Sequence, residues 1–134
     1  MEFLLYLTST GQEIINKVQS MNYNVTQNSA ICRNADIFGY KTSNEFIICL
    51  SNIKNSISPV KHYVNETVYH EAVHVAQSCK GSTLGMLTPL SQYKNIDVNN
   101  SIKVSGANHT YEREAYYLED KPKEVLKYLK KYCI

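Results

Sequence analysis

The longest regular pattern in the sequence lies between Ser58 and Gly81 and predicts one long helix. A hydroxyl residue can cap a helix, proline is favoured at the first helical position, and glycine is favoured just after the last. Ser58, Pro59 and Gly81 fit these three roles, so we expect a helix over residues 59–79. Its apolar residues form one stripe, made of Val64, Val68, Ala72, Val75, Ala76 and Cys79. Such a helix can dock on a core and turn its other side toward a cleft.

The other side of this helix carries the sequence HEAVH at residues 70–74. At about 100° per residue, His70 and His74 lie about 40° apart, and Glu71 falls about 60° beyond His74. All three side chains can therefore address one point. Neutral imidazoles are good zinc ligands, and one helical turn gives the pair the spacing that tetrahedral coordination needs. The motif predicts a zinc site, and the alternative is a pair of solvated or structural histidines.

Glu71 has a different predicted role, because it is not expected to bind the metal. It would lie beside the fourth coordination position, which we expect a water to fill. There its carboxylate can take a proton from the water and later pass it to the leaving amine. Glu71 is therefore the predicted general base.

Through HEAVH and a glutamate on a later helix, the chain resembles the zincin superfamily of metallopeptidases. Gln77 and Lys80 stand where the extended motif H-E-x-x-H-x-x-G-x-x-H has its glycine and third histidine, so a glutamate-liganded, gluzincin-like site remains. The resemblance implies a third ligand in YEREAYYLED, residues 111–120, which is similar to the E-x-x-A pattern of small gluzincin-like proteins. Glu112 matches the ligand position and Ala115 the small residue.

The third ligand has several candidates. Glu114 points about 160° away from Glu112 on a helix, so the two glutamates cannot serve one metal. Glu112 is the predicted ligand and Glu114 the first alternative. The remaining alternatives are Asp36, Asp97 and His109. If Glu112 is not a ligand, it is a solvated helix residue.

The resemblance also implies two substrate-facing features. A zincin needs a donor that stabilises the oxyanion, usually a histidine or a tyrosine. His109, just before the ligand helix, is the first candidate, and Tyr111 and Tyr116 compete with it. In larger zincins an extended strand holds the substrate by backbone pairing, and EFIICL at residues 45–50 is the segment here that is similar to it.

The first half of the chain contains two further patterns. Residues 10–21 have apolar residues at helical spacing, after a threonine that can cap the start. Residues 30–53 contain two apolar-rich runs around a turn with Gly39, which predicts a β-hairpin. With a turn near residues 40–41, Cys32 and Cys49 would lie on facing strands and nearly opposite each other.

The second half of the chain is predicted to be a loop followed by helices. Residues 82–108 lack clear periodicity, which predicts a long, mobile loop. Shorter helices are expected at residues 110–119 and 122–132, the second restarted by Pro122. Together these elements predict an α+β fold, a minimal zincin-like domain. Its small antiparallel sheet or hairpin packs on the long motif helix, with three further helices.

Length and composition limit the alternatives. A chain of 134 residues with 43% hydrophobic content can build one core but not two, so residues 1–134 are predicted to form a single domain. The net charge of +2 does not favour a nucleic-acid partner. No signal peptide or membrane span is recognisable, so we expect a soluble protein without membrane association, with the cytoplasm favoured. The oligomeric state is not indicated.

The four cysteines are Cys32, Cys49, Cys79 and Cys133. None of their spacings is a C-x-x-C pair, so they are not expected to be zinc ligands. Buried reduced thiols and one or more bridges both stay open.

The leading interpretation is a zinc-dependent endopeptidase, a hydrolase with one Zn²⁺ per chain and a peptide or protein substrate. A water activated by zinc and Glu71 would attack the peptide carbonyl directly. One alternative is a non-catalytic, zinc-stabilised binding or regulatory module. Another is a peptidoglycan or other non-protein amide hydrolase that uses the same chemistry.

Overall fold

The computed structural model describes residues 1–86, 89–105 and 108–134. Within these ranges the elements are, in order, a 3-10 helix (Glu2–Tyr6), α1 (Ser9–Ser20), β1 (Asn24–Gln27), α2 (Ala30–Asn34), β2 (Gly39–Lys41), β3 (Glu45–Ile48), α3 (Leu50–Ser56), α4 (Val60–Lys80), α5 (Gln92–Ser105), α6 (His109–Leu118) and α7 (Pro122–Tyr132). The α+β class is therefore confirmed. Seven α-helices appear in the described part of the chain, where the sequence predicted four.

The motif helix α4 is the central element of the fold. The predicted stop is confirmed, since Gly81 follows the helix with φ 81° and its N–H donates to the carbonyl of Gln77. The start differs slightly, because Pro59 has extended backbone and precedes the first helical residue, and no side chain caps the helix there. Glycine tolerates the left-handed conformation that ends α4, so the end was easier to predict than the start.

The predicted apolar stripe of α4 forms the centre of the hydrophobic core. Five of its six residues, Val64, Val68, Ala72, Val75 and Ala76, have no exposed surface. The prediction is wrong for the sixth, Cys79, which is exposed and bonded to Cys133. Helices α1, α6 and α7 pack against α4 and contribute further fully buried side chains, among them Ile14, Ile15, Val18, Leu118, Val125 and Leu129. Burying a side chain of this size stabilises the fold by about 1.5–3 kcal/mol. The core therefore holds α4 firmly on one side.

The sheet has three strands in the order β1-β3-β2. β2 and β3 are antiparallel, with Tyr40 opposite Ile47, whereas β1 runs parallel to β3, with Val25 opposite Phe46. The predicted antiparallel hairpin is therefore confirmed for β2 and β3, but the complete sheet is mixed. Parallel strands need a crossover of a dozen or more residues, and this pairing between distant segments is not visible in a local pattern.

Two details of the predicted hairpin are wrong. The turn lies at residues 42–44, so Gly39 begins β2 instead of lying in the turn. The first apolar run, Ala30–Asn34, is the short helix α2 and not a strand. This helix lies within the crossover from β1 to β3, which explains why apolar residues there do not indicate a strand.

β2 is an edge strand that lies against α4 beside Glu71. A Cβ atom at Gly39 would lie 2.5 Å from Cγ2 of Thr67 and 3.1 Å from Cγ of Glu71. The absence of a side chain at Gly39 therefore permits this close approach. β3, in contrast, is paired on both sides, so the prediction that residues 45–50 hold a substrate by backbone pairing is wrong.

Residues 92–105 form helix α5, so the predicted loop over residues 82–108 is wrong for that range. Among its described side chains Val98 is buried, whereas Tyr93 is 82% and Ile96 50% exposed. With so little apolar surface buried, no stripe at helical spacing marks the helix in the sequence. The loop prediction for residues 87–88 and 106–107 falls outside the described residues.

The remaining predicted helices are confirmed to within about one residue. α1 begins at Ser9, and the hydroxyl of Thr8 caps it by accepting the N–H of Gly11 at 3.0 Å. α6 begins at His109 after the cap Asn108, and α7 begins at Pro122. None of the described helices is long and apolar enough to cross a membrane.

All four cysteines form disulfides. Cys32 on α2 is bonded to Cys49, and Cys79 at the end of α4 is bonded to Cys133 after α7. The closeness of Cys32 to Cys49 was predicted, but Cys32 reaches it from a helix and not from a facing strand. The second bridge ties the end of the motif helix to the C-terminal helix.

Candidate metal centre

The structure brings together the three residues that the sequence predicted as metal ligands. His70 and His74 lie on α4, and Glu112 lies on α6. Nε2 of His74 is 2.6 Å from Oε1 of Glu112, and Nε2 of His70 is 3.6 Å from Oε2 of the same carboxylate. One ligand atom from each residue lies within 4.8 Å of the other two.

The close packing of α6 on α4 positions Glu112. Ala115, the predicted small residue one turn after Glu112, has no exposed surface. The carboxylate of Glu112 is itself buried, and its Oε2 accepts a hydrogen bond from the hydroxyl of Ser101 on α5 at 2.8 Å. Three helices therefore define the position of this one carboxylate.

Both histidines are oriented by contacts at Nδ1. Nδ1 of His70 is 2.9 Å from Oε1 of Glu119, and Nδ1 of His74 is 2.8 Å from Oε1 of Gln77. Because a carboxylate or an amide oxygen accepts hydrogen bonds, these contacts favour the proton on Nδ1. Each Nε2 atom then faces the Glu112 carboxylate, and a metal ion that binds there takes the place of the Nε2 proton.

Gln77 connects His74 to a second buried glutamate, Glu114. The amide of Gln77 donates to Oε1 of Glu114 at 2.9 Å and to the carbonyl of Tyr111 at 3.0 Å. Glu114 also accepts the N–H of Leu84 at 2.8 Å and the N–H of Gly85 at 3.0 Å. Glu114 therefore faces the segment after α4 and does not face the histidines.

The chemistry of the donor set fits a zinc ion. Two imidazoles and one carboxylate are the ligands of many catalytic zinc sites. With bonds of about 2.0 Å, two ligand atoms of a tetrahedral site lie about 3.3 Å apart. The two histidine–carboxylate separations, 2.6 and 3.6 Å, lie on either side of that value.

The pKa values of Glu112 and His70 are shifted because the two groups lie close together in a buried place. Burial alone would raise the pKa of Glu112, but hydrogen bonds and charges of His70 and His74 outweigh it and lower that pKa. Burial alone would lower the pKa of His70, but the Glu112 and Glu119 carboxylates outweigh it and raise that pKa. The buried carboxylates thus favour positive charge at the point where the Nε2 atoms converge.

Two clefts open on the cluster. The Asp97 cleft encloses about 360 Å³, and its lining includes Asp36, Glu66, Asp97, Tyr116 and Glu119. The Lys41 cleft encloses about 490 Å³, and its lining includes Tyr40, Lys41, Ser78 and Tyr111. His70 and Glu71 line both clefts, so the cluster lies where the clefts meet.

Glu71 is the acidic residue at this junction. Its side chain belongs to a residue only 8% exposed, and burial raises the pKa of its carboxyl. Within the described residues the carboxylate of Glu71 makes no hydrogen bond. Its predicted place beside the histidines, outside the three-residue ligand cluster, agrees with its position in the structure.

Of the other predicted candidates, His109, Asp36 and Asp97 lie apart from the cluster, whereas Tyr116 contacts it. His109 is an exposed residue at the start of α6, and it is not among the described residues that line the two clefts. The ring of Tyr116 packs edge-on against His70 at 4.5 Å. Asp36 and Asp97 line the Asp97 cleft without joining the histidines.

Sequence reasoning did not assign roles to Gln77 and Glu119, which hold the two histidines. A signal existed for each. Gln77 follows His74 by three residues, so it lies on the same helix face, and Glu119 follows Glu112 by two helical turns. Which imidazole each one contacts depends on the packing of α6 against α4.

Comparison with known proteins places the chain in a family. No curated protein matches the chain, and no solved structure matches it. Residues 3–134 match the family described as "Domain of unknown function (DUF8637)". Because the match covers nearly the whole chain, this protein belongs to that family.

Proposed function

We propose that the protein is a zinc-dependent endopeptidase with a minimal, gluzincin-like site. The observation that carries this proposal is the convergence of His70, His74 and Glu112 on one point, with Glu71 beside it at the junction of two clefts. The outward contacts of both Nδ1 atoms support it further, because they leave both Nε2 atoms available. Two solvated histidines would not need such partners.

In this proposal His70, His74 and Glu112 hold one zinc ion per chain. When bound, zinc supplies a Lewis acid that lowers the pKa of an attacking water and polarises the substrate carbonyl. Glu119 and Gln77 fix the two imidazole rings. The burial of Glu112 keeps solvent away from the carboxylate that completes the set.

Glu71 moves the proton. Its carboxylate accepts a proton from the water as the oxygen of that water bonds to the carbonyl carbon. It then donates the proton to the amide nitrogen as the C–N bond breaks. The products are a carboxylic acid and an amine, which become a carboxylate and an ammonium when the acid passes its remaining proton to the amine. The raised pKa of Glu71 favours the first transfer, because a carboxylate with a raised pKa is a stronger base.

The open edge of strand β2 is evidence for a peptide substrate. An extended peptide can add to an open sheet edge through backbone hydrogen bonds. β2 has this open edge, and Gly39 brings the strand against α4 beside Glu71. We therefore assign to β2 the substrate-holding role that the sequence suggested for β3.

Three residues compete for the role of oxyanion donor. His109, the first candidate from the sequence, is exposed, whereas Tyr111 lines the Lys41 cleft and Tyr116 the Asp97 cleft. Burial raises the pKa of Tyr116, which keeps its hydroxyl protonated and able to donate. The placement therefore favours a tyrosine. Comparing the turnover of His109→Ala, Tyr111→Phe and Tyr116→Phe identifies the donor.

The two disulfides bear on the compartment in which the protein works. Disulfides persist in oxidising compartments and are rare in cytosolic proteins. We therefore propose an oxidising compartment in place of the cytoplasm that the sequence favoured. Both bridges would form there, Cys32 with Cys49 and Cys79 with Cys133.

The test of the proposed function is the Glu71→Gln variant, assayed on unfolded casein and on a peptide library. The amide fills the same space but cannot accept a proton, so hydrolysis should fall by a factor of about 100 or more. Zinc content and thermal stability should stay close to the wild-type values. Wild-type protein that is fully loaded with zinc and cleaves no substrate would favour a non-catalytic zinc module.

A further inference from the structure

The two clefts that meet at Glu71 differ in charge. Five carboxylates line the Asp97 cleft, from Asp36, Glu66, Glu71, Asp97 and Glu119. Among the described residues, no lysine or arginine lines this cleft. The Lys41 cleft has a lysine, hydroxyl groups and amides beside Glu71 and Glu112. A substrate that spans both clefts would therefore meet two different environments.

The carboxylates of the Asp97 cleft are arranged by depth. Glu71 and Glu119 are buried, Glu66 is 27% exposed at its side chain, and Asp36 and Asp97 lie at the exposed rim. Burial, together with the nearby Glu119 carboxylate, raises the pKa of Glu66 to about 7, while Lys94 opposes that rise. These like charges crowd one another, and a cation bound among them would relieve the repulsion.

Apart from His70, which lines the cleft with its Nδ1 against Glu119, the cations that the protein supplies lie at the margins of this cleft. Nζ of Lys94 is 3.9 Å from Oε2 of Glu119 and 3.3 Å from Asp120, and it donates to the carbonyl of Tyr116 at 2.7 Å. Nε2 of His62, which is exposed, is 3.4 Å from Glu66. These two groups do not line the cleft, so they leave its interior acidic.

Glu71 is an independent sign that a ligand enters here. It is more than nine-tenths buried and makes no hydrogen bond within the described residues, yet it lines the cleft. Its carboxylate oxygens are not enclosed, so they stay open to a group bound in the cleft. Ile37 and Phe38 add apolar surface to the lining, which suits the aliphatic stem of a long side chain.

We propose that the Asp97 cleft is a specificity pocket for a cationic group of the substrate, an ammonium or a guanidinium, held by Glu66 and Asp97. This proposal rests on the proposed peptidase function. The cation has two possible sources within a peptide, the side chain of an internal lysine or arginine and a free amino terminus. Both present the same chemistry to the carboxylates.

The binding test uses the zinc-loaded Glu71→Gln variant, which retains bound peptide without turnover. Three labelled peptide pools of otherwise neutral composition are compared by fluorescence anisotropy at low salt. One is N-acetylated and contains lysine, one is N-acetylated with acetyl-lysine at that position, and one has a free amino terminus with acetyl-lysine. The lysine pool should bind about tenfold more tightly than the acetyl-lysine pool, a difference of about 1.4 kcal/mol. A preference for the third pool would instead assign the cation to the amino terminus.

The pocket is tested by removing its charge. In the same background, Glu66→Gln with Asp97→Asn should abolish the preference for the cationic pool without weakening the binding of the neutral pool. Glu124→Gln removes an exposed carboxylate on α7 and is the matched control, which should keep the preference. Equal affinity for all pools, or a preference that survives the double substitution, would overturn the proposal.

Cleavage of the same pools by the wild-type enzyme separates the two proposals. Cleavage without any preference for a cation would leave the peptidase standing and remove the specificity pocket. Preferential binding of the cationic pool without cleavage of any pool would remove the peptidase and leave the cation site. Faster cleavage of the cationic pool, lost in the double variant, supports both.

Discussion

Glu112 and Glu114 lie two residues apart on α6, and both are almost fully buried, yet they face different partners. Glu112 meets two imidazoles, whose protons a metal ion can replace. Glu114 meets the backbone N–H groups of Leu84 and Gly85 and the amide of Gln77, none of which gives up a proton. Burial alone therefore does not distinguish a ligand from a structural carboxylate. What distinguishes them is whether the partner carries a proton that a metal ion can replace.

The largest expected difference between the two glutamates is in zinc affinity. Glu112→Ala removes a proposed ligand. Loss of a residue that only hydrogen-bonds a ligand weakens metal binding by about 10–100-fold. Loss of the ligand itself should therefore weaken zinc binding by more than that. Titration against a competing chelator measures this, with Glu114→Ala as the matched variant. Tighter zinc binding by Glu112→Ala than by Glu114→Ala would show that the wrong glutamate has been assigned.

Glu114→Ala is expected to lower the stability of the fold. Glu114→Ala leaves the N–H of Leu84 and one amide hydrogen of Gln77 without their acceptor, and each unsatisfied buried donor costs about 1–3 kcal/mol. The free energy of unfolding should therefore fall by about 3 kcal/mol, measured by urea denaturation with zinc removed. Glu124→Ala, an exposed control on α7, should stay within about 0.5 kcal/mol of wild type. A Glu114→Ala variant as stable as that control would contradict the structural role.

Substitutions at Gln77 should have smaller effects on zinc affinity and on stability, because Gln77 contacts both the metal cluster and Glu114. Its Oε1 contacts His74, and its amide donates to Glu114. Gln77→Ala should therefore weaken zinc binding by about 10–100-fold and also lower stability. Gln77→Glu keeps an acceptor for His74 but places a carboxylate beside Glu114, so it should retain more zinc affinity and lose more stability. Chelator titration and urea denaturation of both variants separate the two contacts.

The parts of the fold that the sequence predicted are those whose signals are local. α4, α6 and α7 have apolar spacing together with a proline, a glycine or a capping residue at an end. β1 was missed because its parallel pairing with β3 joins segments separated by a crossover. α5 was missed because Val98 is nearly all that it buries among its described side chains.

For the candidate site too, the sequence predicted the residues that belong to a local motif and missed those whose role depends on packing. HEAVH predicted His70 and His74, and the resemblance of YEREAYYLED to the E-x-x-A pattern predicted Glu112, because each motif lies on a single helix. The partners of the two imidazoles, Glu119 and Gln77, depend on how α6 is seated on α4. The open edge beside Glu71 was assigned to the wrong strand, since edge and centre are decided by the order of strands and not by their composition.

The central claim is that His70, His74 and Glu112 form one zinc site. The most direct test is the metal content of protein purified without added metal, measured by elemental analysis for wild type and for His74→Ala. We expect about one zinc per chain in the wild type, as a single three-residue site of this kind would hold, and a large loss of zinc in His74→Ala. Equal zinc content in the two proteins, or no zinc in a wild type that was also incubated with zinc and desalted, would contradict the account.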